Sequence, residues 1–326
     1  MNFLRTLWSR HNLAIKLFLV AGIIAIILFR MDWPHVGQLA ANIRMEYFLA
    51  AIAMIGTQVL FLALRWKYFM NAEDTLVDYK TALNISVASQ LANFVFITSV
   101  GGVFVRLFLA RHYGLSILKS LCAVIADRFM TFFAMLFFAV IFSPVLTDLV
   151  PGDNLQSSLI ELCVALLLCA ILGVIALKYL KPYIRKNDAL YSSFLYVLRI
   201  LKTRRLAIKI ILTSLAAQAS FFIAGCLAAK AVGVEFNLLE FIAMLPFISI
   251  ASSLPVGFGG WGIREGAFIV ALGFLNIPME SALLISVQVG ILSILGTILI
   301  ALPLAFTGDL QKLLKLSRKG AAKDDV

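Results

Sequence analysis

Charge is scarce in this chain. Asp, Glu, Lys and Arg together supply 14% of its 326 residues, where a soluble domain carries about 25%. No polar stretch is long enough to hold a soluble catalytic domain. Histidine is nearly absent, and His11, His35 and His112 are scattered along the chain, so no metal site is expected. Cysteine is rare too. Cys122, Cys163, Cys169 and Cys226 lie in apolar runs without disulfide or zinc-ligand spacing. No phosphate-cradling glycine loop, nucleophile elbow or zincin helix appears. These absences leave no expected cofactor and exclude nucleotide-driven pumping by this chain.

What the chain has in excess is apolar side chains, at 62% of residues. In hydrocarbon every backbone polar group must be satisfied internally, which favours helices. The expected fold class is all-α: a polytopic helical membrane protein, with residues 1–326 as a single integral membrane domain. Six runs meet the span length of about 20 residues: 13–29, 47–64, 119–142, 158–177, 206–232 and 281–306. The first lacks a small-residue cleavage site and ends at Arg30, so it reads as a retained span rather than a signal peptide. Two further regions, 81–113 and 239–275, are interrupted. The first breaks at Ser99-Val100-Gly101-Gly102 and the second at Pro255-Val256-Gly257-Phe258-Gly259-Gly260. Glycine and proline cost about 1 and 3 kcal/mol in a helix interior.

The net charge of +11 sits mostly in connectors, where topology and anionic lipid head groups explain it better than nucleic acid. The connector 178–205 is richest, with Lys178, Lys181, Arg185, Lys186, Arg199, Lys202, Arg204 and Arg205; Arg65, Lys67 and Lys80 crowd 65–80, and the tail 307–326 is basic. Residues 147–157 and 233–240 carry no Lys or Arg. Basic loops stay cytoplasmic. The counts fit one topology if each interrupted region is a re-entrant hairpin that returns to its own side. The expectation is six full spans plus two broken hairpins, eight apolar regions in all. Both termini are then cytoplasmic in a bacterial-type plasma (inner) membrane. Read as full spans, the two regions would put the Lys119 end outside. Leu190, Phe194, Leu195, Val197 and Leu198 among the charges of 178–205 suggest an amphipathic helix on the cytoplasmic leaflet.

The two breaks resemble each other. Gly101-Gly102-Val103-Phe104-Val105-Arg106 and Gly259-Gly260-Trp261-Gly262-Ile263-Arg264 both read G-G-x-x-x-R, at an offset of 264 − 106 = 158. The preceding spans begin 206 − 47 = 159 apart and the following ones 281 − 119 = 162 apart. Two halves, about 13–146 and 158–306, therefore read as inverted repeats, each with one broken hairpin. That arrangement is a transporter signature.

A broken helix exposes backbone N–H groups at the positive end of its second half, a ready anion site. Gly101, Gly102, Gly259, Gly260 and Gly262 would let a ligand approach. Arg106 and Arg264, one turn further on, add forked donors suited to phosphate. A phosphate-bearing lipid is the natural ligand. Arg106 has a second reading as an interfacial anchor that snorkels to the head groups. Glu265 lies deep in an apolar region, as a ligand-site acid or as a structural partner for a base. Asp127 and Arg128, two turns into their span, form an ion pair or extend the basic site. Asn93 and Gln90 line a cavity or hold helices together. Gln218 and Gln288 read as helix–helix hydrogen bonds. Trp33, Tyr47, Trp66 and Tyr68 fit interfacial belts.

Arg65-Trp66, Gly101-Gly102 with Arg106, Ala126-Asp127-Arg128, Pro255-Val256-Gly257 and above all Gly260-Trp261-Gly262-Ile263-Arg264-Glu265 together resemble the membrane domain of lysylphosphatidylglycerol synthases and their stand-alone flippase-like relatives. Leu275-Asn276-Ile277-Pro278 and Ser281-Ala282 fit as well. The family often has a proline before the first glycine pair and an acid just after it. Thr98-Ser99 and Val103 stand there instead, so any gating by that acid must be done differently. The resemblance implies translocation of an anionic or lipid-linked substrate between leaflets, without the synthases' aminoacyl-transfer domain. The alternatives are a catalytic or non-catalytic partner of a cell-envelope glycosyltransferase or lipid-modifying enzyme, and a plain lipid-binding scaffold.

Overall fold

The computed structural model describes residues 33–72, 77–95, 101–146, 161, 164, 188–253 and 262–306. The expected span 13–29, all of 158–177 but residues 161 and 164, break residues 99–100 and 255–260, Trp261 and the tail 307–326 lie outside the described residues. Among the described residues the regular structure is helical, in ten helices: α1 (Trp33–Ala41), α2 (Met45–Met70), α3 (Tyr79–Val95), α4 (Gly101–His112), α5 (Ile117–Leu146), α6 (Asp188–Lys202), α7 (Arg204–Ala231), α8 (Leu238–Ser252), α9 (Ile263–Gly273) and α10 (Met279–Phe306). Four of them, α2, α5, α7 and α10, are long and apolar enough to cross a membrane. The chain is a multi-pass helical membrane protein.

The helices recur in order. Long, short, short, long describes α2–α5, of 26, 17, 12 and 30 residues, and again α7–α10, of 28, 15, 11 and 28. Their starts are offset by 204 − 45 = 159, 238 − 79 = 159, 263 − 101 = 162 and 279 − 117 = 162. The turn after the third helix recurs as well. Gly114, at φ 97°, and Asn276, at φ 56°, both take the left-handed conformation that ends a helix. Leu115 N–H donates to the Ala110 carbonyl at 3.1 Å, and Ile277 N–H donates to the Leu272 carbonyl at 3.1 Å. Each of these turns is a Schellman cap whose following apolar residue is buried. The spacing is 162 once more, and no charge or glycine count contributes to it.

Three boundaries differ from the sequence expectation. First, α2 runs past residue 64 to Met70, so Arg65 is not a connector charge but a buried helical residue, 1% exposed. Second, Gly101 and Gly102 are not in the break. They form the first turn of α4, and residues 96–100 lie outside the described residues. Third, the amphipathic helix of the long connector forms as α6, with part of its apolar face laid on the protein and Leu195, 45% exposed, on its outer side. Ser193, Tyr196 and Ile200 are buried, and the Tyr196 hydroxyl donates to the Phe69 carbonyl at 2.7 Å. The stretch 33–41, expected as loop, is helical.

Two apolar clusters hold the halves together. The larger centres on α7, α8 and α10, with Phe222, Phe241, Leu272, Ile285 and Leu292 among its members. The other gathers Trp66, Phe69, Leu109, Leu115, Val124 and Tyr196. The first long helix of each half, α2 and α7, pack along one another. At the α2–α10 crossing a Cβ on Gly296 would lie 2.5 Å from the Ile55 side chain and 3.1 Å from the Ile52 carbonyl. Only glycine permits that approach. With no hydrophobic drive between helices in lipid, small residues at crossings provide the close packing.

Candidate functional site

The first break is followed by a buried charge cluster. Asp127, on α5, is 4% exposed. Its Oδ1 accepts from Arg65 Nε at 2.7 Å and its Oδ2 from Arg106 Nη1 at 2.6 Å. Arg65 is held on every side. Its Nη2 donates to Thr131 Oγ1 at 2.8 Å and its Nη1 to Ser214 Oγ at 3.1 Å. Ser214 belongs to α7, so the network ties the two halves. Arg106 is 8% exposed, and its guanidinium stacks over the Trp66 ring at 4.8 Å, a cation–π contact in a desolvated place. Two guanidiniums share one carboxylate, so the cluster keeps one surplus positive charge. Arg106 Nε and Trp66 Nε1, both buried, have no hydrogen-bond partner among the described residues.

The arrangement corrects three expectations. Trp66 is 0% exposed, not an interfacial belt residue, because α2 carries it past the point where a minimal span would end. Arg106 does not snorkel; a buried carboxylate and an indole face hold it inside. Arg128 is exposed next to Asp127. The carboxylate's partners are Arg65 and Arg106, not its neighbour in sequence.

Asn93 and the glycine pair serve the helix end itself. Gly102 N–H donates to Asn93 Oδ1 at 2.8 Å, and the Gly102 carbonyl accepts from Ser89 Oγ at 2.8 Å. A Cβ on Gly102 would stand 2.5 Å from Asn93 Oδ1 and from the Ser89 carbonyl, so glycine is required for α4 to lie against α3. The Gly102 N–H expected to receive a ligand is therefore occupied by Asn93. Gly101 is buried beside it.

The second break has its own cluster, built otherwise. Gly262, at φ 88°, starts α9 in a conformation that favours glycine. Its N–H donates to Glu265 Oε2, one half of a capping box. Glu265 Oε1 accepts from Arg264 Nη2 at 2.8 Å and from Arg264 Nε at 3.2 Å. Ser286 Oγ on α10 stands 3.3 Å from Arg264 Nε and 3.4 Å from Glu265 Oε1. The Arg264 guanidinium lies against Gly290, where a Cβ would come within 2.7 Å of Nη2. Glu265 is 6% exposed. Among the described residues one carboxylate meets one guanidinium here, and the charges of these two side chains balance. Gly259 and Gly260 lie outside the described residues.

The remaining sequence candidates divide. Gln90 Oε1 lies 3.4 Å from Thr297 Oγ1 on α10, a link between the halves. The Gln288 amide is buried with no partner at either end among the described residues, and Gln218 Nε2 is likewise unpartnered, so neither forms the expected helix–helix bond there. Sequence reasoning missed Arg65, Thr131, Ser214 and Ser286. Arg65 was legible as a motif residue, but it was counted with the loop charges. The three hydroxyls carry no sequence signal, since hydroxyl residues are common inside membrane helices.

Ionisable side chains paired inside a bundle of membrane-length helices define a class: multi-pass membrane proteins with charge kept inside the bundle, where it marks a substrate path or a structural pair. Within that class, this chain belongs to the family of the lysylphosphatidylglycerol synthase TM region, which it matches over residues 13–321. Among curated proteins, none matches the chain. The family makes it a membrane protein of lipid metabolism or transport.

Proposed function

We propose that the chain is a flippase-type transporter, not an enzyme, and that it moves a phosphate-bearing lipid between the leaflets of a bacterial-type plasma membrane. The lipid is a phospholipid or a polyprenyl-linked carrier. The observation that carries this reading is the surplus charge of the Arg65–Asp127–Arg106 cluster, with the unused donors Arg106 Nε and Trp66 Nε1 beside it. A phosphate supplies the missing negative charge and several strong acceptor oxygens. Arg106 is the residue that exchanges: it holds Asp127 when the site is empty and the phosphate when it is filled. Arg65, locked by Thr131 and Ser214, stays with Asp127 and keeps the carboxylate charged. The balanced Arg264–Glu265 pair offers no surplus charge, so it serves the second half as a gate or a weaker station. The repeat of helices and caps, together with the basic connectors, supports opposed re-entrant hairpins and cytoplasmic termini.

The test is reconstitution of the purified chain in liposomes carrying fluorescent phospholipids and, separately, polyprenyl phosphates. Lipid scrambling or flipping above that of empty liposomes is expected, and Arg106→Ala should abolish it. That variant keeps the Arg65–Asp127 pair, and its melting temperature in detergent separates loss of movement from loss of fold. Equal lipid movement with and without protein sinks the reading.

A further inference from the structure

A cleft of about 390 Å³ opens where α6 ends and α7 begins. It is lined by Arg199 from α6, Thr203 from the turn, Arg205, Leu206 and Lys209 from α7, and Tyr68 from the end of α2. Asn71 and Ala72 complete the lining, and among the described residues none of it is acidic. The one carboxylate of α6, Asp188, lies at its far end, 14 residues from Lys202, or about 21 Å along a helix. The three cations have different supports. Lys209 sits with its ammonium 5.5 Å from the Tyr68 ring centroid, and Arg199 and Arg205 are exposed at the rim. Thr203 precedes α7 without capping it through its side chain, so the positive end of a 28-residue helix faces the same space.

The surface beyond the cleft is apolar. Ile208 and Leu212 follow Arg205 at three and seven residues, one face of α7, and are 45% and 59% exposed. A charged mouth followed by an exposed apolar stripe matches a lipid, whose phosphate precedes its chains, better than a free ion. Fixing α6 on the protein through Tyr196 and Phe69 keeps Arg199 facing Arg205. This gives the docked amphipathic helix a reason to be docked.

We propose that this cleft binds the phosphate head group of an anionic lipid in the leaflet beside the basic connector, at a site separate from the buried arginine clusters. It does not depend on the transport reading, because binding here needs no movement of lipid across the bilayer.

Native mass spectrometry of the full chain, released from mixed micelles of phosphatidic acid and phosphatidylcholine, tests it. Retention of phosphatidic acid over phosphatidylcholine is expected. The triple variant Arg199→Gln, Arg205→Gln, Lys209→Gln should weaken that retention roughly a hundredfold, from about 1 kcal/mol per cation. All three side chains are exposed, so the variant's melting temperature in phosphatidylcholine alone should match the parent's and exclude misfolding. Equal retention by parent and variant overturns the proposal. Displacement of phosphatidic acid by inorganic phosphate at matched concentration overturns the lipid reading and assigns the cleft to the free ion.

Discussion

The two halves solve one problem, a positive charge beside a broken helix, in two ways. In the first half the carboxylate comes from the following long helix, as Asp127. In the second it comes from the residue next to the arginine, as Glu265. Position 289 stands at Asp127's place in the repeat, 127 + 162 = 289, and carries the buried Val289. Position 293 corresponds to Thr131, 131 + 162 = 293, and carries Ser293, whose hydroxyl donates to the Val289 carbonyl as Thr131 donates to that of Asp127. Arg65 has no counterpart: 65 + 159 = 224, and Ala224 is buried there. Moving the acid onto the arginine's own helix removes the need for a third charge. Among the described residues the first cluster is left charged and tied across both halves, and the second pairs one acid with one base within its own half. Two like scaffolds thus hold unlike electrostatics.

Asp127→Asn is the strongest way to break that contrast. It leaves two buried guanidiniums around a neutral amide, and removing one member of a buried ion pair costs about 3–5 kcal/mol. A large drop in melting temperature in detergent is expected. Glu265→Gln is milder, about 1–3 kcal/mol, since one arginine loses its charged partner and a glutamine oxygen still caps Gly262. If the two variants melt alike, the clusters are not electrostatically different.

The glycines sharpen the comparison at a smaller scale. Gly102→Ala drives a Cβ into a backbone carbonyl that cannot move away, at about 1–3 kcal/mol. Gly290→Ala meets only the tip of a flexible side chain, and the gain of about 1 kcal/mol in helix propensity offsets much of that. Near-parental melting is expected for Gly290→Ala, with Arg264 displaced. A loss as large as that of Gly102→Ala would show that Arg264 is as fixed as Arg106.

The sequence made the membrane class and the repeat readable because both depend on composition and spacing, which survive folding unchanged. It placed the four long helices to within a few residues at most ends. The largest miss was at α2, which continues six residues past residue 64. A window tuned to the minimal span cannot see that extension, because Arg65, Trp66 and Lys67 look like the usual end of a span. Only tertiary contacts reveal that Arg65 finds Asp127, Thr131 and Ser214 on two other helices. The same limit hid the role of Asn93. Its spacing from Gly102 says that they are near, but not that the amide occupies the N–H a ligand was expected to take.

The stacking of Arg106 on Trp66 makes the indole an optical gauge of the site. The fluorophore is buried, so bulk solvent does not quench it, and the nearest charge is the group proposed to leave when lipid arrives. Withdrawal of that cation alters the local field on the ring directly. With Trp8, Trp33 and Trp261 replaced by phenylalanine, so that Trp66 is the sole indole, its emission should therefore change when phosphate-bearing lipid fills the cluster.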